Sequence, residues 1–167
     1  YVKDLAGRDA AFRQELERCE QKFRDSTTTA DREFAFQRLR SGAAGQLGEA
    51  IVKDGLSPYF KGTDVQNRIE TPGGITFVDL RLTEARNRIN LGRGQSISVG
   101  GNLSVEVKTG QPRYLEREVA HIVERQVPGH HASGDNSLVV ISKDVHNMSG
   151  ERFARDSIND SGSYVMA

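Results

Sequence analysis

The 167-residue sequence contains one cysteine, Cys19, which excludes an internal disulfide and any zinc site built from several thiolates. It also lacks an excess of either charge. With 23 basic and 23 acidic residues the formal net charge is zero, so no global basic field points to nucleic acid, and such a partner would have to be met by a local basic face. No run of about 18 apolar residues is present, which excludes an ordinary transmembrane helix. No basic-then-apolar leader, internal repeat or low-complexity segment is found either. The first residue is Tyr1, inside a helical pattern, and the last four, Tyr164-Val165-Met166-Ala167, are apolar; we expect a module cut from something longer.

What is present alternates between helical and strand patterns, as one α/β domain would. Leu5, Phe12, Leu16, Cys19 and Phe23 recur at helical spacing, predicting a helix over residues 3 to 24. Asp25 to Thr29 interrupts it and caps a second helix whose Phe34, Phe36 and Leu39 are expected in the core. Gly42, Gly45 and Gly48 then line a helix face that another backbone could approach closely, with Glu49 directly after them; Gly55 and Pro58 end this helix. Val65 to Glu70 and Ile75 to Leu80 read as strands joined by a turn at Pro72-Gly73-Gly74. Leu103 to Lys108 alternates apolar and polar residues. A charged helix over 113 to 127 ends near Pro128-Gly129, the apolar run 138 to 142 is a buried strand, and Glu151 to Ile158 closes the chain as a helix.

The chemistry gathers between Ile75 and Gly110. Asp79 sits in an apolar, β-branched strand, where an acid requires a reason. In a strand Glu106 and Lys108 project from one face and Val105 and Val107 from the other, so a carboxylate is paired with an ammonium. Two carboxylates on neighbouring strands repel unless a cation is shared, and oxygen-only ligands suit magnesium or manganese rather than zinc. Lys108 would then stand beside the attacking water. Arg81, Arg86, Arg88 and Arg93 are candidate phosphate contacts.

Glu49 on an early glycine-rich helix, Asp79 on a strand, then Glu106-Val107-Lys108 followed by a helix and a strand resembles the PD-(D/E)XK nuclease superfamily. Val78 stands where the proline of the motif would be. The resemblance implies a restriction-endonuclease-like α/β fold: a central mixed sheet flanked by helices, with residues 1–40 as a helical extension, 41–142 as the nuclease core and 143–167 as a C-terminal segment. It implies Glu49, Asp79 and Glu106 as metal ligands and Lys108 as the catalytic lysine. The helical prelude and the Gly-x-x-Gly-Glu helix resemble the C-terminal nuclease module of bacterial polymorphic toxins of the contact-dependent inhibition type. That resemblance implies delivery as part of a larger toxin, action on DNA, or on transfer RNA or other RNA, in the target cytoplasm, and neutralisation by a cognate immunity protein.

Two rival readings use other residues. Gly129-His130-His131 with Asn136, His146 and Asn147 is similar to a His-metal finger nuclease, in which His131 and His146 would act, but only four residues separate His131 from Asn136. The alternative to that finger is a polar loop that leaves His130 and His131 exposed or binding phosphate. Alternatively Glu106 and Lys108 form an ion pair in a non-catalytic module that binds nucleic acid or protein. Leu47, Ile51, Phe77, Val105, Val107, Ile122, Val139 and Ile141 are the predicted core.

Overall fold

The computed structural model describes residues 1–71, 74–86, 88–92, 95–109, 112–141 and 149–166. They divide into two compact units, Tyr1–Ala50 and Ile51–Ala167. The Pro72-Gly73 turn, Arg93, His146 and Asn147 of the sequence reading lie outside the described residues.

The first unit is helical. Val2–Arg8 forms α1 and Ala10–Asp25 forms α2, parted at Asp9, whose carboxylate accepts the Phe12 amide as an N-cap. The single predicted helix over 3 to 24 is therefore two. Thr29–Leu56 is one 28-residue helix, α3, where the sequence pattern suggested two. Glycine placement follows packing: a Cβ on Gly42 would stand 3.1 Å from Glu15 Oε1 of α2. Leu5, Phe12, Cys19 and Ala35 are buried, whereas Phe34 and Phe36, expected in the core, are 67% and 52% exposed. The reason is helical geometry: successive residues turn by about 100°, so an inward Ala35 carries both flanking aromatics to the sides.

The second unit is a five-stranded mixed sheet with helices against it. A 3₁₀ turn over Ser57–Tyr59 leads from α3 into β1 (Phe60–Thr71), followed by β2 (Gly74–Ala85), β3 (Ile89–Gly92), β4 (Gln95–Ile97) and β5 (Leu103–Lys108). After β5 come α4 (Pro112–His121), a π turn (Ile122–Gln126), α5 (Val127–Ala132), β6 (Asn136–Ile141), α6 (Ser149–Asp160) and β7 (Tyr164–Met166). Strand order is β1-β2-β5-β6-β7; β1, β2 and β5 pair antiparallel, while β5-β6 and β6-β7 are parallel, and β3-β4 form a separate ribbon. Parallel neighbours require a crossover, which the helices between β5 and β6, and then α6, supply. No helix among the described residues is long and apolar enough to cross a membrane.

Two apolar clusters flank the sheet. Val52, Leu56, Leu80, Leu82, Ile89, Leu103, Val105 and Leu138 belong to one; Leu115, Val119, Ile122, Val127, Val139, Ile141 and Ile158 form the other. Each fully buried aliphatic side chain contributes roughly 1.5–3 kcal/mol. Val105, Ile122, Val139 and Ile141 are buried as expected, and Leu47 and Val107 are half-buried. Ile51 and Phe77 are instead exposed, at 51% and 54%. In α3 the inward pair is Val52 and Leu56, one turn apart, which turns Ile51 aside. In β2 the apolar run is not buried on both faces: Val78, Leu80 and Leu82 are buried, while Ile75 and Phe77 are open.

The predicted helix end at Pro128-Gly129 is also corrected, because the chain stays helical to Ala132. Proline has no N–H for the carbonyl four residues earlier and crowds it. Here Pro128 falls in the first turn of α5, directly after a π turn in which the Val127 amide bonds Ile122 O. That wider turn lets the helical path continue. Gly129 packs closely here, since a Cβ would lie 3.0 Å from Thr76 Cγ2 and 3.1 Å from Thr71 Cγ2.

Candidate functional site

Asp79 lies where β2 loses its regular neighbours. On one side the β1 ladder pairs Val65 with Leu80 and Asn67 with Val78 but skips the opposite position, Gln66, whose φ is +49°. On the other side the β2–β5 ladder stops at Leu80–Val105. In its place the Asp79 carboxylate accepts the Val107 amide on Oδ2 at 2.8 Å, and Gln66 Nε2 lies 3.5 Å from Oδ1. A non-glycine residue at positive φ is uncommon and gathers at functional positions.

Next to it, β5 presents Ser104, Glu106 and Lys108 away from the Leu103–Val105 side of the sheet. Glu106 is 1% exposed. Its Oε2 accepts from Gln126 Nε2 at 2.7 Å and from Lys108 Nζ at 3.3 Å, and its Oε1 stands 3.5 Å from His130 Nε2. Neither Glu106 Oε1 nor His130 Nε2 has a hydrogen bond at that separation, although both are buried. His130 Nδ1 is 2.6 Å from Ser137 Oγ, which in turn takes the Ser163 hydroxyl at 2.9 Å.

Deeper along the same side, Arg81 forks onto Asp135, with Nε to Oδ2 at 2.7 Å and a terminal nitrogen to Oδ1 at 3.0 Å, and Ser104 Oγ donates to Oδ2 at 2.8 Å. Burial alone would raise the Asp135 carboxyl, but the Arg81 guanidinium and the Ser104 hydroxyl outweigh it and hold Asp135 below the usual range. The same pairing raises Arg81. Its guanidinium is thus occupied by Asp135. Arg86 and Arg88 are exposed.

Asp79, Glu106 and Lys108 therefore share the second unit and adjoining strands. Glu49 is half-buried on α3 and belongs to the first unit. The histidines part company: His131 is exposed, while His130 is fully buried, contrary to its expected place in a polar loop. Asn136 donates to the carbonyls of Gly100 and Asn102 at 3.1 and 3.2 Å. Sequence reasoning missed Gln126 and His130 as neighbours of Glu106, naming His130 only in the His-metal finger and its polar-loop alternative, and it missed Asp135 and Ser137. The first two had a readable signal, because Ile122, Gln126 and His130 recur every four residues; it is lost when the helix is ended at Pro128.

An ion held here would meet oxygen donors, which suit a hard divalent cation. Glu106 Oε1 is a buried oxygen without a hydrogen bond, and the second carboxylate, Asp79, is on the adjoining strand. No group of three His, Cys, Asp or Glu side chains able to hold a metal is gathered among the described residues, so the protein contribution would be two carboxylates. Magnesium is commonly held by few carboxylates and several waters. Comparison with family models, curated proteins and solved structures finds no match to this chain.

Proposed function

We propose that this chain is a metal-dependent nuclease domain of the PD-(D/E)XK type, the toxic module of a bacterial polymorphic toxin, hydrolysing phosphodiester bonds of DNA in preference to RNA. The observation that carries the reading is the loss of β1 and β5 pairing at Asp79 within β2, where its carboxylate takes the amide that lies between Glu106 and Lys108 on β5. At Asp79 the side chain takes the Val107 amide instead of a backbone partner, while Glu106 and Lys108 keep their pairing with β6 and present an acid and a lysine beside it.

In this reading Asp79 and Glu106 hold magnesium or manganese. Such an ion would supply Lewis-acid chemistry, activation of a water and neutralisation of phosphate charge. The chain's own groups do the rest. Gln126 holds one Glu106 oxygen in place, the Val107 amide orients Asp79, and Lys108 presents an ammonium beside the carboxylates, where it stabilises charge that develops in the transition state. Glu49 enters on its place in the sequence alone. Arg86 and Arg88 are the exposed arginines left for phosphate, because Arg81 is held by Asp135. Arg93 and the His131–His146 alternative include positions outside the described residues.

A second reading has one observation in its favour. Glu106 is enclosed and already meets Gln126 and Lys108, as a scaffold ion pair in a binding module would. Incubating the purified chain with plasmid, transfer RNA and ribosomal RNA, in magnesium and in chelator, separates them. Magnesium-dependent cleavage, abolished in the near-isosteric Glu106→Gln, is expected; no cleavage of any of the three contradicts the nuclease. The toxin reading further implies an immunity protein. Expression of the active domain alone should stop growth and co-expression of the neighbouring reading frame should restore it, whereas unimpaired growth without that frame counts against a toxin.

A further inference from the structure

We infer that His130 is a positioning residue for Glu106, acting through a proton on Nε2 that faces the carboxylate oxygen left over by Gln126 and Lys108. The inference rests on the reading of Glu106 as a site residue, yet its geometry is independent of any activity. His130 is fully buried on α5, and its ring spans two strands: Nδ1 is 2.6 Å from Ser137 Oγ on β6, and Nε2 is 3.5 Å from Glu106 Oε1 on β5.

The location of the ring proton follows from the partners. A hydroxyl can donate or accept, whereas an ionised carboxylate only accepts. A proton on Nδ1 alone would set the Nε2 lone pair against Glu106 Oε1, two acceptors facing each other where both atoms are closed off from solvent. With the proton on Nε2, a donor instead of a lone pair faces Oε1 across 3.5 Å. Ser137 can then give its proton to Nδ1 at 2.6 Å and accept from the Ser163 hydroxyl, which lies 2.9 Å from Ser137 Oγ and 3.1 Å from Tyr164 O. Oε2 is already fixed by Gln126 and Lys108, so His130 sets the remaining freedom of the carboxylate, its rotation about the last side-chain bond, through one lone pair of Oε1 and leaves the other for an ion.

The experiment is nitrogen–proton correlation of the ¹⁵N-histidine-labelled full chain, with His130→Gln assigning the signal among four histidines. A proton on Nε2 is expected, and a ring protonated on Nδ1 alone overturns the inference. Function is read in two variants. His130→Gln keeps an N–H at the reach of Nε2; His130→Asn replaces only the Nδ1 side. We expect kcat near that of the parent for Gln and about 10-fold or more lower for Asn, with KM unchanged, as for groups that orient a ligand. Equal kcat in the two, or a loss that only tracks the unfolding midpoint, overturns it. If the parent cleaves nothing, the nuclease reading fails separately, and the Glu106 carboxyl ¹³C shift decides: displaced in Asn but not in Gln supports the inference, equal in both refutes it. Should His130→Asn not fold, Ser137→Ala takes its place. Loss of a single ring tautomer with lower kcat is then expected, and an unchanged ring with unchanged kcat overturns the positioning role.

Discussion

The Asp79 carboxylate accepts the Val107 amide at 2.8 Å, so a side chain replaces the backbone ladder where β2 and β5 stop pairing. Asp79→Asn keeps an acceptor there and should fold like the parent, yet lose cleavage by about 100-fold or more because a charged ligand is gone. Asp79→Ala also loses the hydrogen bond and should cost about 1.5–3 kcal/mol of stability. Urea unfolding beside a cleavage assay checks both; parent-like cleavage by Asp79→Asn would remove Asp79 from the chemistry.

The Arg81–Asp135 pair gives a pH dependence with a definite sign. Asp135 has a depressed folded value, so it stabilises the fold fully above the ordinary aspartate range, about pH 4, and that contribution is lost as pH falls through the lower folded value. Between pH 5 and pH 2.5 the parent should lose more stability than Asp135→Asn does. At pH 7 Asp135→Ala should cost roughly 3 kcal/mol, the low end for breaking a buried pair, because the Arg81 side chain remains 27% exposed. A pH profile identical in parent and Asp135→Asn would contradict this.

Gly62 and Thr83 face each other across β1 and β2, and a Cβ on Gly62 would run into Thr83 Oγ1. Gly62→Ala should destabilise by about 1–3 kcal/mol, as overpacking does. Thr83→Ala in the same chain should restore most of it, a coupling that a double-mutant cycle reads directly. Additive costs would mean that the hairpin moves apart instead.

How much of this was readable in the sequence depends on the range of the interaction. The alternation of Leu103 to Lys108 correctly separates Glu106 and Lys108 from Val105 and Val107, because period two is a local property of a strand. The β5–helix–β6 order is local too. Phe77 misled because an unbroken apolar run leaves open whether one face or both are covered, which is decided by elements far away in the chain. Pro128 misled because a π turn absorbs what an α-helix could not. Ser137 and Ser163, 26 residues apart, carry no motif; only the parallel pairing of β6 with β7 brings them to His130. The short β7 was likewise missed, since three residues are too few to show a period.

Whether Lys108 serves chemistry or scaffold decides the account, and one comparison tests it: magnesium affinity and kcat of Lys108→Ala, measured beside its unfolding midpoint. Lys108 Nζ lies 3.3 Å from Glu106 Oε2 with 11% of the side chain exposed, so either role is geometrically open to it. The expected result is metal affinity near that of the parent and kcat at saturating magnesium lower by about 100-fold or more, beside a stability loss of roughly 3 kcal/mol because the buried Glu106 carboxylate loses its ammonium. A kcat unchanged at saturating magnesium, with the loss appearing in the unfolding midpoint instead, would make the lysine part of the scaffold and contradict the nuclease.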